Sequence, residues 1–175
     1  LDERFCLTKV NYTTYQAVSG SGFKGINDLM RTRTGEKPLF YPQPIASTCI
    51  PLIGDAITSG DTSEEKKMKD ETKKILNRFD LKVGATCVRV PVFYCHGIVV
   101  SLETKEKFNL SDVKNLFSEI PKVIVKDDLR KNDFPTSLDG YDNDNIYVGR
   151  IREDETRENG LLFYVLADNL RIGAA

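Results

Sequence analysis

The sequence predicts an α+β fold, a largely antiparallel or mixed β-sheet with helices packed on one face. Three observations carry this expectation. Stretches rich in β-branched and aromatic residues recur along the chain, two amphipathic helices interrupt them, and the two kinds of element do not alternate strictly. At 175 residues the chain can bury one sizeable core, with room for at most a small appendage.

In chain order, "CLTKVNYTTYQ" (6–16) alternates and reads as a strand. Ile26, Leu29 and Met30 then recur at i, i+3, i+4, the spacing of a short helix. "GEKPLFYPQP" (35–44) is a proline-broken connection, and "IASTCIPLI" (45–53) reads as extended. The clearest helix lies in "DTSEEKKMKDETKKILNRF" (61–79), where Thr62 and Glu65 fit a capping box and Met68, Thr72, Ile75 and Leu76 share a face. "LKVGATCVRVPVF" (81–93) and "GIVVSLET" (97–104) predict strands on either side of a Tyr94-Cys95-His96 corner. "NLSDVKNLFSEI" (109–120) is a capped helix, "KVIVK", "NIYVGRI" and "LLFYVLA" are strands, and 126–145 reads as a long surface loop.

A net charge of −1 provides no basic footprint for nucleic acid and no basic face for a membrane surface. No apolar run approaches the roughly 20 residues of a membrane span, and the charged opening "LDERFC" does not read as a signal peptide. Cys6, Cys49, Cys87 and Cys95 form no C-x-x-C pair and there is a single histidine, so no metal site or disulfide framework is expected. Free thiols fit a cytoplasmic setting. The chain opens without Met and stops in "LRIGAA", which reads as a helix under way, so the expectation is a domain excised from a longer protein.

Residues 20–25, Gly-Ser-Gly-Phe-Lys-Gly, have the G-x-G-x-x-G spacing of a dinucleotide turn. Such a cradle also needs a second strand ending in an acidic residue about 20 positions on. Pro38, Pro42 and Pro44 oppose a central strand there. The glycines still predict a sharp turn and a close approach to the amides at a helix start.

Arg89 shares a strand face with Cys87. It has two readings: an intramolecular salt bridge or exposed face, and a fork that holds an anionic ligand through two parallel hydrogen bonds. His96 is either a satisfied structural residue or the one side chain that titrates near neutrality unaided. Cys95 and His96 point to opposite faces of an extended strand, which argues against a thiolate–imidazolium pair unless the corner bends. Glu64 and Lys67 share a helix face at i, i+3, a spacing that an exposed, solubilising face also produces.

Six stretches, "TYQAVSG" (14–20), "IPLIGD" (50–55), "EEKKMKDETKKIL" (64–76), "ATCVRVPVF" (85–93) with a following His, "VGRIR" (148–152) and "NGLLFYVLADNLRIGAA" (159–175), resemble the catalytic and dimerisation domain of aspartate-semialdehyde dehydrogenases. The resemblance runs from about Val10 to Ala175. It implies a fold like the C-terminal domain of glyceraldehyde-3-phosphate dehydrogenase, with all of 1–175 as substrate-binding and dimerisation domain. It also implies NADPH-dependent reductive dephosphorylation of aspartyl-4-phosphate to aspartate-4-semialdehyde through a cysteine thioester, in lysine, threonine and methionine synthesis.

By the same resemblance Gln16 orients the acyl intermediate and His96 is the general acid/base. Arg89 takes the α-carboxylate, Glu64 the amino group and Lys67 the phosphate. Ser19, Gly20 and Asn169 lie against the NADP, which a separate N-terminal domain, absent from this chain, mainly holds. Arg89 and His96 are expected to meet through a bend in neighbouring strands and to face one cleft with Gln16 and the Glu64/Lys67 helix. The glycine spacing then becomes a coincidental fingerprint at a turn that lines the active site.

Two departures stand out. The family's Asn-Cys nucleophile has no match here, which implies that the isolated chain is inactive, and Cys95-His96-Gly97-Ile98 replaces the family's Gly-His-Ser-Glu. The partners implied are a homodimer or homotetramer, the small-molecule substrate and phosphate, with no nucleic acid or membrane. The competing readings are a non-catalytic dimerisation domain and a sister acyl-phosphate reductase such as N-acetyl-glutamyl-phosphate reductase. The Glu64/Lys67 helix and "ADNLR" count against the latter.

Overall fold

The alternating stretches become strands and the capped stretches become helices. The computed structural model describes residues 1–173. The strands are β1 (Leu7–Gln16), β2 (Lys82–Arg89), β3 (His96–Thr104), β4 (Val123–Val125), β5 (Ile146–Glu153) and β6 (Gly160–Ala167). They form one mixed sheet in the order β2-β1-β3-β6-β5-β4. β1 runs parallel to β2 and β4 parallel to β5, while β1–β3, β3–β6 and β6–β5 are antiparallel. The helices are α1 (Asp2–Phe5), α2 (Gly22–Arg33), α3 (Ser63–Ile75), α4 (Leu110–Ser118) and α5 (Ser137–Gly140).

Residues opposite one another across the ladders share a face, and one face carries Val10, Val100, Leu102, Leu161, Phe163 and Val148. These pack into a single cluster with Val113 and Phe117 of α4, joined at its margin by Leu76 just past α3. The other face carries Tyr15, Val99 and Tyr164. Tyr15 stays 42% exposed although its strand has neighbours on both sides.

The edge strand β2 is blunted by side-chain and loop contacts rather than left open. Thr62 and Glu65 form the expected capping box, with Thr62 N donating to Glu65 Oε2 at 2.7 Å. The other carboxylate oxygen, Oε1, accepts from Cys87 N of β2 at 2.9 Å. One glutamate thus caps α3 and fixes its start against the sheet. Ile50 bridges Arg89, each amide donating to the other's carbonyl at 2.9 Å.

Several local expectations are corrected. Ile75 is 79% exposed because the buried arc of α3 centres on Glu65, Thr72 and Leu76 and leaves Ile75 on its flank. Ile45–Ser47 is a 3₁₀ turn, so 45–53 is not uniformly extended. The 126–145 loop contains a 3₁₀ turn, Leu129–Lys131, as well as α5. Residues 169–172 form a turn and bend rather than a helix, organised by Asp168, whose carboxylate accepts from Leu170 N and Asp142 N, each at 2.9 Å. The expected helix otherwise falls on Ala174 and Ala175, outside the described residues.

The proline-broken connection is held by a residue that periodicity does not single out. Asp28 of α2, fully buried, accepts from the amides of Leu39 (2.6 Å), Phe40 (3.1 Å) and Tyr41 (2.9 Å). Burial pushes its carboxyl up, but these amides and Arg31 outweigh it and hold the group below the usual carboxylate value. Asp28→Ala leaves three amides without their acceptor and is expected to lower stability by about 3 kcal/mol, read as a reduced urea midpoint. An unchanged midpoint would show that the connection does not depend on this carboxylate.

Candidate active site

The site grows from strand register. β1 ends at Gln16, which pairs with Arg89 at the end of β2. On its other side Tyr15 pairs with Gly97, which sets Gln16 beside His96 at the start of β3. All three side chains are buried and share the helix-covered face. The bend expected to bring Arg89 and His96 together is therefore corrected. β2 and β3 are not neighbours, and β1 runs between them and carries Gln16 into the middle.

The turn after Gln16 knits this trio together. Ala17 N donates to His96 Nδ1 at 3.2 Å, and Arg89 Nη1 donates to Ala17 O at 2.6 Å. Gln16 Nε2 donates to Glu64 Oε1 at 3.4 Å, which ties the start of α3 to the strand ends. Gln16, Glu64 and His96 line a cavity of about 260 Å³ together with Thr14, Met68 and Ile172. Lys67, one turn further along α3, is half-buried and lies outside that lining.

A second knot adjoins the first. Ser19 Oγ donates to Asn169 Oδ1 at 3.1 Å, and the same oxygen accepts from Cys95 N at 3.2 Å. The segment after β6 is thereby attached both to the β1 turn and to the residue before His96. Gly20 borders the catalytic candidates directly, since a Cβ there would stand 2.9 Å from Arg89 Nη1 and 3.1 Å from His96 Nε2. Gly25, the last glycine of the fingerprint, serves packing: its Cβ would meet Val18 O at 2.4 Å.

Electrostatics separate the roles. Arg89 is only 6% exposed and forms no ion pair with a carboxylate among the described residues. Burial draws its pKa down, and Tyr41 and Glu64 counter this from a distance. Burial and then the Arg89 charge lower His96 to about 4, so the imidazole is neutral at pH 7. Burial pushes Cys87 up to about 11 and Cys95 up to about 12, so neither is a thiolate at neutral pH. Cys95, with a positive φ of 71°, packs against Tyr147 and Leu166 on the sheet face opposite His96.

The structure thus gathers Gln16, Ser19, Gly20, Glu64, Arg89, His96 and Asn169 at one end of the sheet, with Lys67 on the adjoining helix. Among the described residues no group of three His, Cys, Asp or Glu side chains could hold a metal ion. Nor do they form a dinucleotide cradle. β1 and β2 are parallel neighbours that end on Gln16 and Arg89, without the acidic residue that meets a ribose, and Ser19 and Asn169 are spent on each other. Sequence reasoning missed Glu65 as the clamp on β2, and Thr14, Met68 and Ile172 as lining. Only Glu65 left a signal, its capping box, and that signal points to the helix rather than to the sheet.

The family described as "Semialdehyde dehydrogenase, dimerisation domain" matches residues 1–172. The aspartate-semialdehyde dehydrogenase of Aquifex aeolicus is 39% identical over 97% of this chain and 52% of its own length. The crystal structure of aspartate semialdehyde dehydrogenase II from Vibrio cholerae, complexed with ASA, superposes with a TM-score of 0.92 at 36% identity, over 99% of this chain and 53% of that one. Aspartate semialdehyde dehydrogenase from Candida albicans, solved with NADP, gives 0.70 at 26% identity, over 98% of this chain and 48% of that one. The chain therefore spans about half the length of the relatives it matches. No helix among the described residues is long and apolar enough to cross a membrane.

The depressed His96 value has a consequence for stability. An unfolded histidine takes its proton near pH 6.5, the folded one only near 4. The contribution of the neutral imidazole is therefore complete above pH 6.5 and is lost as pH falls towards 4, by about 3 kcal/mol. Urea unfolding at pH 7 and pH 5 should show about 2 kcal/mol of that loss in the parent chain and a much flatter dependence in His96→Gln. Equal pH dependence in the two would mean that His96 is not held neutral.

Proposed function

The chain belongs to the semialdehyde dehydrogenase dimerisation-domain family, and on that premise we propose that it is the substrate-binding and dimerisation half of an aspartate-semialdehyde dehydrogenase. The reaction converts aspartyl-4-phosphate and NADPH to aspartate-4-semialdehyde, phosphate and NADP, in lysine, threonine and methionine synthesis in the cytoplasm. The single observation that carries the reading is the register that delivers Gln16, Arg89 and His96 to one point beside Glu64.

The residues divide the substrate among them. Arg89, a buried guanidinium without a carboxylate partner among the described residues, takes the substrate carboxylate. Glu64, whose Oε1 already accepts from Gln16, takes the amino group, and Lys67 meets the phosphate. Gln16 and His96 stand at the reacting carbonyl, Gln16 to orient the acyl group and His96 to manage its proton. Ser19 and Asn169 set the turn that flanks the cofactor, and the cofactor itself is held mainly by residues beyond this chain.

The attacking thiolate displaces phosphate to form a thioester, and it too comes from outside these 175 residues. Cys87 and Cys95 are pushed up by burial. Cys6 precedes β1, whose far end carries the site. At about 3.3 Å per residue the ten-residue strand separates the two by roughly 30 Å. None of Cys6, Cys49, Cys87 and Cys95 follows an asparagine, as the nucleophile of the resembled family does, and the chain alone is accordingly expected to be inactive.

The second role in the proposal is assembly as a homodimer, or as a homotetramer built from such dimers. Tyr15, Val99, Leu129, Phe134 and Tyr164, flanked by Arg150 and Arg152, line a hollow of about 460 Å³ on the sheet face away from α3 and α4. A second copy of this face is the proposed occupant, because two-fold pairing buries the apolar side chains of this patch and leaves the two arginines at its margin.

Each role has its own test. In the full-length enzyme Arg89→Lys keeps the charge but loses the planar fork, and should raise KM for the semialdehyde about a hundredfold with a smaller effect on kcat. An unchanged KM removes Arg89 from carboxylate recognition. Sedimentation of the chain should give a dimer, and Val99→Asp a monomer with unaltered circular dichroism. A dimer that survives this substitution places the interface elsewhere.

A further inference from the structure

The corner that leads into β3 is held in a conformation its own backbone does not favour. Cys95 adopts a positive φ of 71°, a region that residues other than glycine seldom occupy. Contacts from elsewhere must impose it, and the next residue is His96.

Those contacts come from two segments that meet on Cys95. From the turn after β6, Asn169 Oδ1 accepts from Cys95 N at 3.2 Å. From α5, Ser137 O accepts from Cys95 Sγ at 3.4 Å. Gly140, which ends α5, approaches so closely that a Cβ there would stand 3.1 Å from the same sulfur. The flanking residues strengthen the grip, since Tyr94 stacks on Tyr141 with ring centroids 4.7 Å apart.

The thiol suits this task. Burial and then the Asp168 charge push it up to about 12, so it keeps its proton and serves as a weak donor to the Ser137 carbonyl. The backbone of the same residue reaches the imidazole. Burial and then the Arg89 charge lower His96, and the Cys95 main chain opposes them, as a group within hydrogen-bond reach of the ring does.

We infer that Cys95 is a positioning residue for His96: the hydrogen bond from Sγ to Ser137 O and the contact with Gly140 hold the positive-φ corner, and the corner sets the imidazole against Ala17 N. This deepens the enzyme reading and rests on it for its catalytic consequence. Successive residues of an extended chain point to opposite faces, so a thiol anchored on one face fixes the ring on the other. A rotation at residue 95 would carry His96 away from Ala17 N, which now donates to Nδ1 at 3.2 Å. Displacement of a reacting group by about 1 Å costs on the order of a hundredfold in rate.

Two measurements test this. The chain has a single histidine, so the ¹⁵N signals of its imidazole report His96 alone. At pH 7 the unsubstituted chain should give one set of signals, and Cys95→Ala should displace or double them with unaltered circular dichroism. Signals that stay in place overturn the assignment. Should that variant lose its fold, Gly140→Ala, which presses on the sulfur without altering Cys95, decides on the same criterion. In the full-length enzyme Cys95→Ala should lower kcat for semialdehyde oxidation about tenfold and leave KM within about twofold, because Arg89 is untouched. Cys95→Ser retains a donor and should recover most of the loss. An unchanged kcat, or a serine variant as slow as the alanine one, overturns the role of the thiol. Absence of semialdehyde oxidation by the unsubstituted full-length protein would instead defeat the enzyme reading, and the imidazole signals would still decide whether Cys95 positions the ring.

Discussion

The constraint that organises this molecule is a guanidinium buried without a carboxylate. Among the described residues, Arg89 at 6% exposure has Ala17 O as its one close acceptor. Removing a charge from water costs several kcal/mol unless something returns the lost interactions. Here a carbonyl at 2.6 Å returns part, and the field of Glu64 returns a little more. A site arranged for stability alone would place an aliphatic side chain at the end of β2. On the proposed reading, a site arranged to receive an anion keeps the guanidinium dry and incompletely satisfied, so that the ligand supplies the missing acceptor.

Two neighbours feel that charge. His96 is held neutral by burial and by the adjacent guanidinium, and its Nδ1 accepts from the Ala17 amide. Gly20 must lack a side chain because a Cβ there would press on both, 2.9 Å from Arg89 Nη1 and 3.1 Å from His96 Nε2. The start of α3 must also stay fixed, because Glu64 is placed by the same turn of helix that Glu65 clamps to Cys87 N. Capping, edge protection and site geometry are thus one arrangement.

Much of this was legible in the sequence and some of it was not, for physical reasons. The strands, the Thr62/Glu65 cap and the amphipathic α4 follow from local periodicity and capping chemistry, which the chain states within a few residues. The gathering of Arg89 and His96 was legible as an outcome but not as a mechanism. Their closeness in sequence pointed to a bend, whereas β1, some seventy residues earlier in the chain, runs between their strands. Ile75 belongs to the correct helix face by spacing, yet is exposed because the sheet reaches only part of that arc. Asp28 was invisible because its partners are backbone amides, which leave no mark in the residue pattern.

The G-x-G-x-x-G stretch shows why spacing alone misleads. Each of its glycines answers a separate demand. Gly20 lets Arg89 and His96 pack against its backbone, Gly22 adopts a positive φ of 66°, and Gly25 lets α2 close against Val18 O. None of these demands involves a pyrophosphate, and the strand that would complete a dinucleotide cradle ends on a cation. A dinucleotide turn and this one share a formula because both bring backbone close to something at the start of a helix. What approaches is decided by the side chains on the neighbouring strands, and here those are a guanidinium and an imidazole.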